Sequence, residues 1–228
     1  MQLARNQFDL IPAHFIKQSP GTVNLNVMIK TVIFDLGGVI VPLDFQRGYA
    51  TIERYCGCPA AEIPKRLRKT DVVVRYETGQ LESPQFMEEF SAVLGLKASH
   101  DEFRTLWSSI FLPHTLIPDA FVEDLKGRHR LLLLSNTNPL HFEIIREQYP
   151  ILRHFDHYVL SYRVGAVKPS AKMYEAAIAQ AGCLPEECFF TDDVLPYVEG
   201  ARSAGIQAVQ FQGYEQLRRD MQEHGVTI

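Results

Sequence analysis

Thr31-Val32-Ile33-Phe34-Asp35-Leu36-Gly37-Gly38-Val39-Ile40 decides the architecture of this chain. Four apolar or β-branched residues in an unbroken run suit a strand buried on both faces, as in a parallel sheet rather than a half-exposed hairpin. The run stops at a carboxylate, Asp35. Working outward, four more short runs of the same kind are expected to be strands: Leu131–Leu134, His157–Leu160, Cys188–Phe190 and Gln207–Phe211. Helical stretches separate the later ones. Pro118 to Gly127 has a proline near its start and a glycine at its stop, Ser170 precedes an alanine-rich stretch ending at Gly182, and Val198 to Gly205 makes a third. Strand and helix in alternation mean an α/β fold with a doubly wound parallel sheet.

The chain between Phe34 and Leu131 is far longer than the dozen or more residues of a simple crossover. Residues 45–111 therefore read as a small helical cap inserted after the first strand, with apolar residues at three- and four-residue spacing in Phe86, Phe90, Val93 and Leu94. Residues 28–44 and 112–228 form the α/β core, and 1–27 stand before it as an amino-terminal extension without the apolar run of a signal peptide.

Over 228 residues, 46% hydrophobic and 22% charged content is that of a globular chain, and a net charge of −4 offers no basic field for nucleic acid or an anionic membrane. A small-molecule partner is the expectation, with a cytoplasmic location and a monomer or weak homodimer. Cys56, Cys58, Cys183 and Cys188 are few and poorly spaced for a zinc site, so they read as reduced thiols.

In an open parallel sheet ligands gather beyond the carboxyl ends of the strands. There the first run ends in Asp35, the second in Ser135-Asn136-Thr137, the third in Ser161 and the fourth in Asp192-Asp193, with Lys168 a short loop beyond the third. Taken singly, each is an ordinary cap or turn residue. Taken together, three carboxylates converging on one crevice call for a cation among them, and oxygen ligands suit Mg²⁺.

Phe34-Asp35-Leu36-Gly37-Gly38-Val39-Ile40, Leu134-Ser135-Asn136-Thr137, Val167-Lys168-Pro169 and Phe190-Thr191-Asp192-Asp193 resemble, in order and spacing, the four motifs of the haloacid dehalogenase superfamily. Within it the chain looks most like bacterial α-glucose-1-phosphate phosphatases and their relatives. The resemblance implies a Mg²⁺-dependent phosphatase acting on a small phosphorylated metabolite, a sugar phosphate foremost, through an aspartyl-phosphate on Asp35. Ser135 and the amide of Asn136 would bind phosphate oxygens, and Lys168 would neutralise the phosphate and keep Asp35 ionised. Asp35, the carbonyl of Gly37 and Asp193 would hold the metal, with Asp192 ligating directly or through water. A 2-haloacid dehalogenase and a catalytically weakened phosphate-binding protein are the alternatives.

Gly37 stands where most family phosphatases carry a second aspartate, the group that protonates the leaving oxygen, and Tyr197 replaces a common Asn or Asp. Asp44 is a candidate substitute acid, with an N-cap for the helix starting near Phe45 as its plainer reading. Arg75 and Glu77, ahead of Thr78-Gly79, are candidate substrate-binding residues of the cap. The histidines His114, His129, His141, His154 and His157 read as structural or surface groups.

Overall fold

The computed structural model describes residues 27–228, so the extension read for 1–27 falls outside the described residues except for Val27. Five strands, β1 (Thr31–Phe34), β2 (Arg130–Ser135), β3 (His157–Leu160), β4 (Cys188–Asp192) and β5 (Gln207–Gln210), form one parallel sheet in the order β3-β2-β1-β4-β5.

Strand periodicity sorts the sheet's side chains into two apolar layers. Val32, Phe34, Leu131, Leu133, Phe189 and Val209 pack on one face against helices α6 (Asp119–Lys126), α7 (Pro139–Gln148) and α11 (Tyr214–Glu223). On the other, Ile33, Leu132, Leu134, Val159, Phe190 and Ala208 meet α9 (Ala171–Ala181) and α10 (Leu195–Ser203). Both faces are covered, which is why the inner stretches of the strands, such as Val32–Phe34, Leu131–Leu134 and Phe189–Phe190, are apolar on consecutive residues and not alternately polar.

α10 begins three residues before the expected Val198, because Pro196 sits in its first turn, where the missing N–H costs nothing. The expected short loop between β3 and Lys168 begins with a one-turn helix, α8 (Ser161–Val164), ended by Gly165 in the left-handed region.

The insert builds its own core. Helices α1 (Phe45–Glu53), α2 (Ile63–Leu67), α3 (Val72–Glu77), α4 (Ser83–Leu94) and α5 (His100–Trp107) enclose an aromatic cluster. Tyr76 stacks on Phe86 at 4.0 Å, and Phe90 meets Phe103 edge-on at 5.6 Å. Two linkers join cap to core as a short antiparallel bridge between Leu43 and Phe111: Asp44 N donates to Ile110 O at 2.7 Å and Leu112 N to Pro42 O at 3.2 Å.

Docking away from the linkers is polar and specific. Leu140 N, an orphan donor in the first turn of α7, donates to the hydroxyl of Tyr76 at 3.3 Å. Gly79 follows the end of α3 with φ +70°, and it lies so close to Tyr162 O that any Cβ would collide with that carbonyl. Among the described residues no helix is long and apolar enough to cross a membrane, and all four cysteines are free thiols.

Candidate active site

Asp35 follows β1, and its backbone N–H donates to Thr191 O at 3.0 Å, so the β1–β4 ladder holds it in place. Ser135 closes β2, Asp192 closes β4, and Asp193 is the next residue. Lys168 arrives from beyond α8 and is fixed by a reciprocal pair of bonds with the amide of Asn136: Lys168 N donates to Asn136 Oδ1 at 2.7 Å, and Asn136 Nδ2 donates to Lys168 O at 3.2 Å. Ser161 is a latch and not part of the crevice. Its buried hydroxyl accepts from Thr137 N at 2.9 Å and donates to Thr137 O at 2.8 Å, locking the turn after β2.

The ammonium of Lys168 is 1% exposed and spends all three donors within the protein: on Asp35 Oδ1 at 2.8 Å, Asp192 Oδ2 at 2.6 Å and Leu134 O at 2.9 Å. Burial, the largest influence, disfavours its charge, but Asp192 and Asp35 together outweigh it and raise its proton affinity above that of an ordinary lysine. Lys168 is thus held as a cation between Asp35 and Asp192. The face of Tyr197 lies 5.2 Å from the same nitrogen, so the residue that departs from the family pattern supports the lysine by cation–π attraction.

Asp192 is fully buried; besides Lys168, its Oδ1 accepts from Val194 N at 2.9 Å. Burial pushes this carboxyl above the usual range, with Lys168 pulling the other way. Expected among the metal ligands, Asp192 is committed on both oxygens to protein donors, so direct ligation requires sharing an oxygen that already holds a hydrogen bond. Asp193 is half-buried, and its carboxylate rests against Gly38: a Cβ there would lie 2.7 Å from Asp193 Oδ2. Asp35, Asp192 and Asp193 each present an oxygen, all within 4.8 Å of one another. Among the described residues nothing donates to the carbonyl of Gly37, which leaves it open as a fourth oxygen. Three clustered carboxylates, two of them holding the Lys168 ammonium, form a site that a divalent cation with oxygen ligands would fit.

Above this cluster a cavity of about 1540 Å³ lies between core and cap. Asp35, Gly37, Ser135, Asn136, Lys168 and Asp193 line it from the core, while Phe45, Tyr49, Ile52, Leu67, Val74 and Glu77 line it from the cap.

Glu77 and Val74, three residues apart on α3, share that face. Burial pushes the Glu77 carboxyl up to about 7. Arg75, expected to contact substrate, points off this face toward α4 and donates to Glu89 Oε2 at 2.8 Å and Oε1 at 3.1 Å. It is a crosslink within the cap and does not line the cavity. Asp44 caps α1, accepting from Arg47 N at 3.0 Å.

A model of the haloacid dehalogenase-like hydrolases matches residues 29–205, most of the chain. The chain belongs to this family. Among curated proteins it is similar to a D-ribitol-5-phosphate phosphatase of Bacteroides thetaiotaomicron, 26% identical over 203 residues that cover 85% of this chain and 97% of the relative. It is also similar to a phosphatase of Mycobacterium tuberculosis, 27% identical over 88% of this chain and 97% of that one. Among solved structures, a HAD family enzyme of Bacteroides thetaiotaomicron in complex with magnesium and inorganic phosphate shares the fold with a TM-score of 0.72, at 23% identity, over 81% of this chain and 95% of that one. The chain is accordingly a hydrolase, and its strand-end cluster is where hydrolysis is to be sought.

Proposed function

We propose that this hydrolase is a Mg²⁺-dependent phosphatase that cleaves small phosphorylated carbohydrates through an aspartyl-phosphate on Asp35. The observation that carries the reading is the carboxylate cluster at the strand ends: Asp35, Asp192 and Asp193 each present an oxygen within 4.8 Å of the others, and Asp35 and Asp192 hold the Lys168 ammonium between them. Such a cluster is stable when a divalent cation completes it, and it then attracts a phosphate dianion.

Asp35, Asp193 and the carbonyl of Gly37 would hold the metal, with Asp192 behind them. When bound, Mg²⁺ supplies positive charge to the phosphoryl oxygens and lowers the repulsion between nucleophile and dianion. Asp35 attacks phosphorus in line as the leaving oxygen departs opposite, and water then hydrolyses the acyl phosphate. Ser135 and the backbone amide of Asn136 bind non-bridging oxygens. Lys168 acts mainly through its field, since its donors already hold Asp35, Asp192 and Leu134 O in place.

The carbohydrate part of the reading draws support from the D-ribitol-5-phosphate phosphatase relative. The test is a panel of phosphorylated sugars and polyols with Mg²⁺ or EDTA, beside chloroacetate without metal. Turnover of a carbohydrate phosphate that stops in EDTA is expected, with a phosphoryl group trapped by acid quench on Asp35 and absent from Asp35→Asn. Halide release from chloroacetate without any phosphatase activity would overturn the proposal.

A further inference from the structure

We infer that Glu77, carried by the cap, supplies the proton to the departing oxygen in place of the acid missing at Gly37. The inference rests on the phosphatase reading and assigns a residue that the family's motifs do not contain.

The reaction expels an alkoxide, and Gly37 has no side chain with which to protonate it. Asp44 is engaged in capping α1 through Arg47 N. Asp35 and Asp193 belong to the nucleophile and metal cluster and must be ionised to serve there. Glu175 and Glu199 also border the cavity but are exposed to solvent on the core helices. Glu77 is the single carboxyl that the cap segment 45–111 contributes to the cavity wall. Among the described residues its carboxyl has no hydrogen-bond partner and no ion pair, so its proton is not committed elsewhere. Its neighbour on that wall, Val74 one turn back on α3, is apolar. Such surroundings favour the neutral acid, and its carboxyl, pushed up to about 7, is shared about evenly between acid and carboxylate at neutral pH, as a group that gives and then takes back a proton requires.

α3 docks directly on the core, through the Tyr76 hydroxyl at Leu140 N and through Gly79 against Tyr162 O. Glu77 lies between those two anchors in sequence, so docking fixes its position relative to the strand ends.

The step balances. As the bond from Asp35 to phosphorus forms and the bond from phosphorus to the leaving oxygen breaks, the Glu77 proton passes to that oxygen and releases the alcohol. The Glu77 carboxylate then takes a proton from the water that attacks phosphorus of the aspartyl-phosphate. Phosphate leaves, and the acid form is restored.

The experiment compares kcat/KM of the Mg²⁺-loaded full chain and of Glu77→Gln on a primary-alkyl phosphate and on 2,4-dinitrophenyl phosphate, whose leaving group departs without a proton. A positioned acid predicts a loss of about 10²–10⁴-fold on the alkyl ester and of less than about 3-fold on the dinitrophenyl ester. In the Glu77→Gln background, Gly37→Asp is expected to restore the alkyl ester selectively. The backbone at Gly37 is not in the left-handed region, and a Cβ there meets only the flexible end of Leu43 at 3.0 Å. Equal losses on both esters, or no loss on either, would overturn the assignment while leaving the phosphatase reading intact. Failure of the wild type to cleave either ester with Mg²⁺ would overturn both.

Discussion

Gly38 shows how one missing side chain shapes the site. Its φ of +86° is a conformation that L-residues rarely adopt, and the space a Cβ would fill is taken by the Asp193 carboxylate. Gly38→Ala therefore meets two obstacles, backbone strain and a 2.7 Å approach to Asp193 Oδ2. The second must be relieved by moving the carboxylate away from Asp35. We expect the variant to fold, to bind Mg²⁺ at least about tenfold more weakly, a loss of 1.4 kcal/mol or more, and to lose turnover in proportion at limiting metal. Calorimetric Mg²⁺ titration checks this, and an affinity equal to wild type would show that Asp193 is not held where the metal binds. The neighbouring Gly37 has no such constraint. Of the two glycines, then, Gly38 answers to geometry, whereas Gly37 marks an absent function.

At the scale of elements, α7 and α5 meet through His141, whose ring stacks on Trp107 at 4.6 Å and whose Nε2 lies 2.9 Å from Trp107 O. The carbonyl requires a proton on Nε2, and Nδ1 then accepts from Asn138 Nδ2 at 3.2 Å, so the ring is neutral and fully used. Burial lowers its pKa from 6.5 to about 4. The unfolded chain therefore binds a proton that the folded chain refuses, and stability drains away as pH falls from 6.5 to about 4, by on the order of 3 kcal/mol. Glu77 has the opposite sign. Its pKa rises from 4.5 to about 7, so the folded state gains a proton first and stability grows as pH falls through that window. The two slopes oppose each other in wild type. Urea denaturation from pH 7 to pH 4.5 should show a steeper loss of stability toward acid in Glu77→Gln than in wild type, and identical slopes would mean that Glu77 is not desolvated in the folded chain. Much at this scale is legible from sequence, because apolar runs with polar ends mark the strands and parallel pairing forces those ends together. Contacts between distant elements are not. Arg75 shows on sequence only a charge near a helix stop, while its partner Glu89 belongs to the next helix. Likewise the apolar run of β2 gives no sign that the carbonyl of Leu134 will take one proton of Lys168.

For the whole molecule, the division of labour is between a core that holds the charged cluster and a cap that supplies one wall of the cavity. The linkers at Leu43 and Phe111 tie the two together at one edge. On the far side the bond from Leu140 N to the Tyr76 hydroxyl, itself 2.8 Å from Ser83 Oγ, joins the buried faces. Tyr76→Phe keeps the ring and its stacking on Phe86 but leaves the Leu140 N–H without a partner when the cap is docked. An unsatisfied buried donor costs about 1–3 kcal/mol. Undocking lets water reach that N–H, so the penalty falls on the docked state alone. If catalysis requires the docked cap, kcat/KM should drop by about 5- to 150-fold, the same penalty expressed as a population. The drop should be similar for every ester, because the altered bond touches no substrate. Arg75→Ala, by contrast, removes a partly exposed pair within the cap and should leave stability close to wild type, with the ranking of substrates unchanged. Rates on the ester panel, together with amide exchange at Leu140, separate these cases. A Tyr76→Phe variant with wild-type rates and a protected Leu140 amide would mean that the Trp107–His141 stack and the linkers hold the cap without this bond.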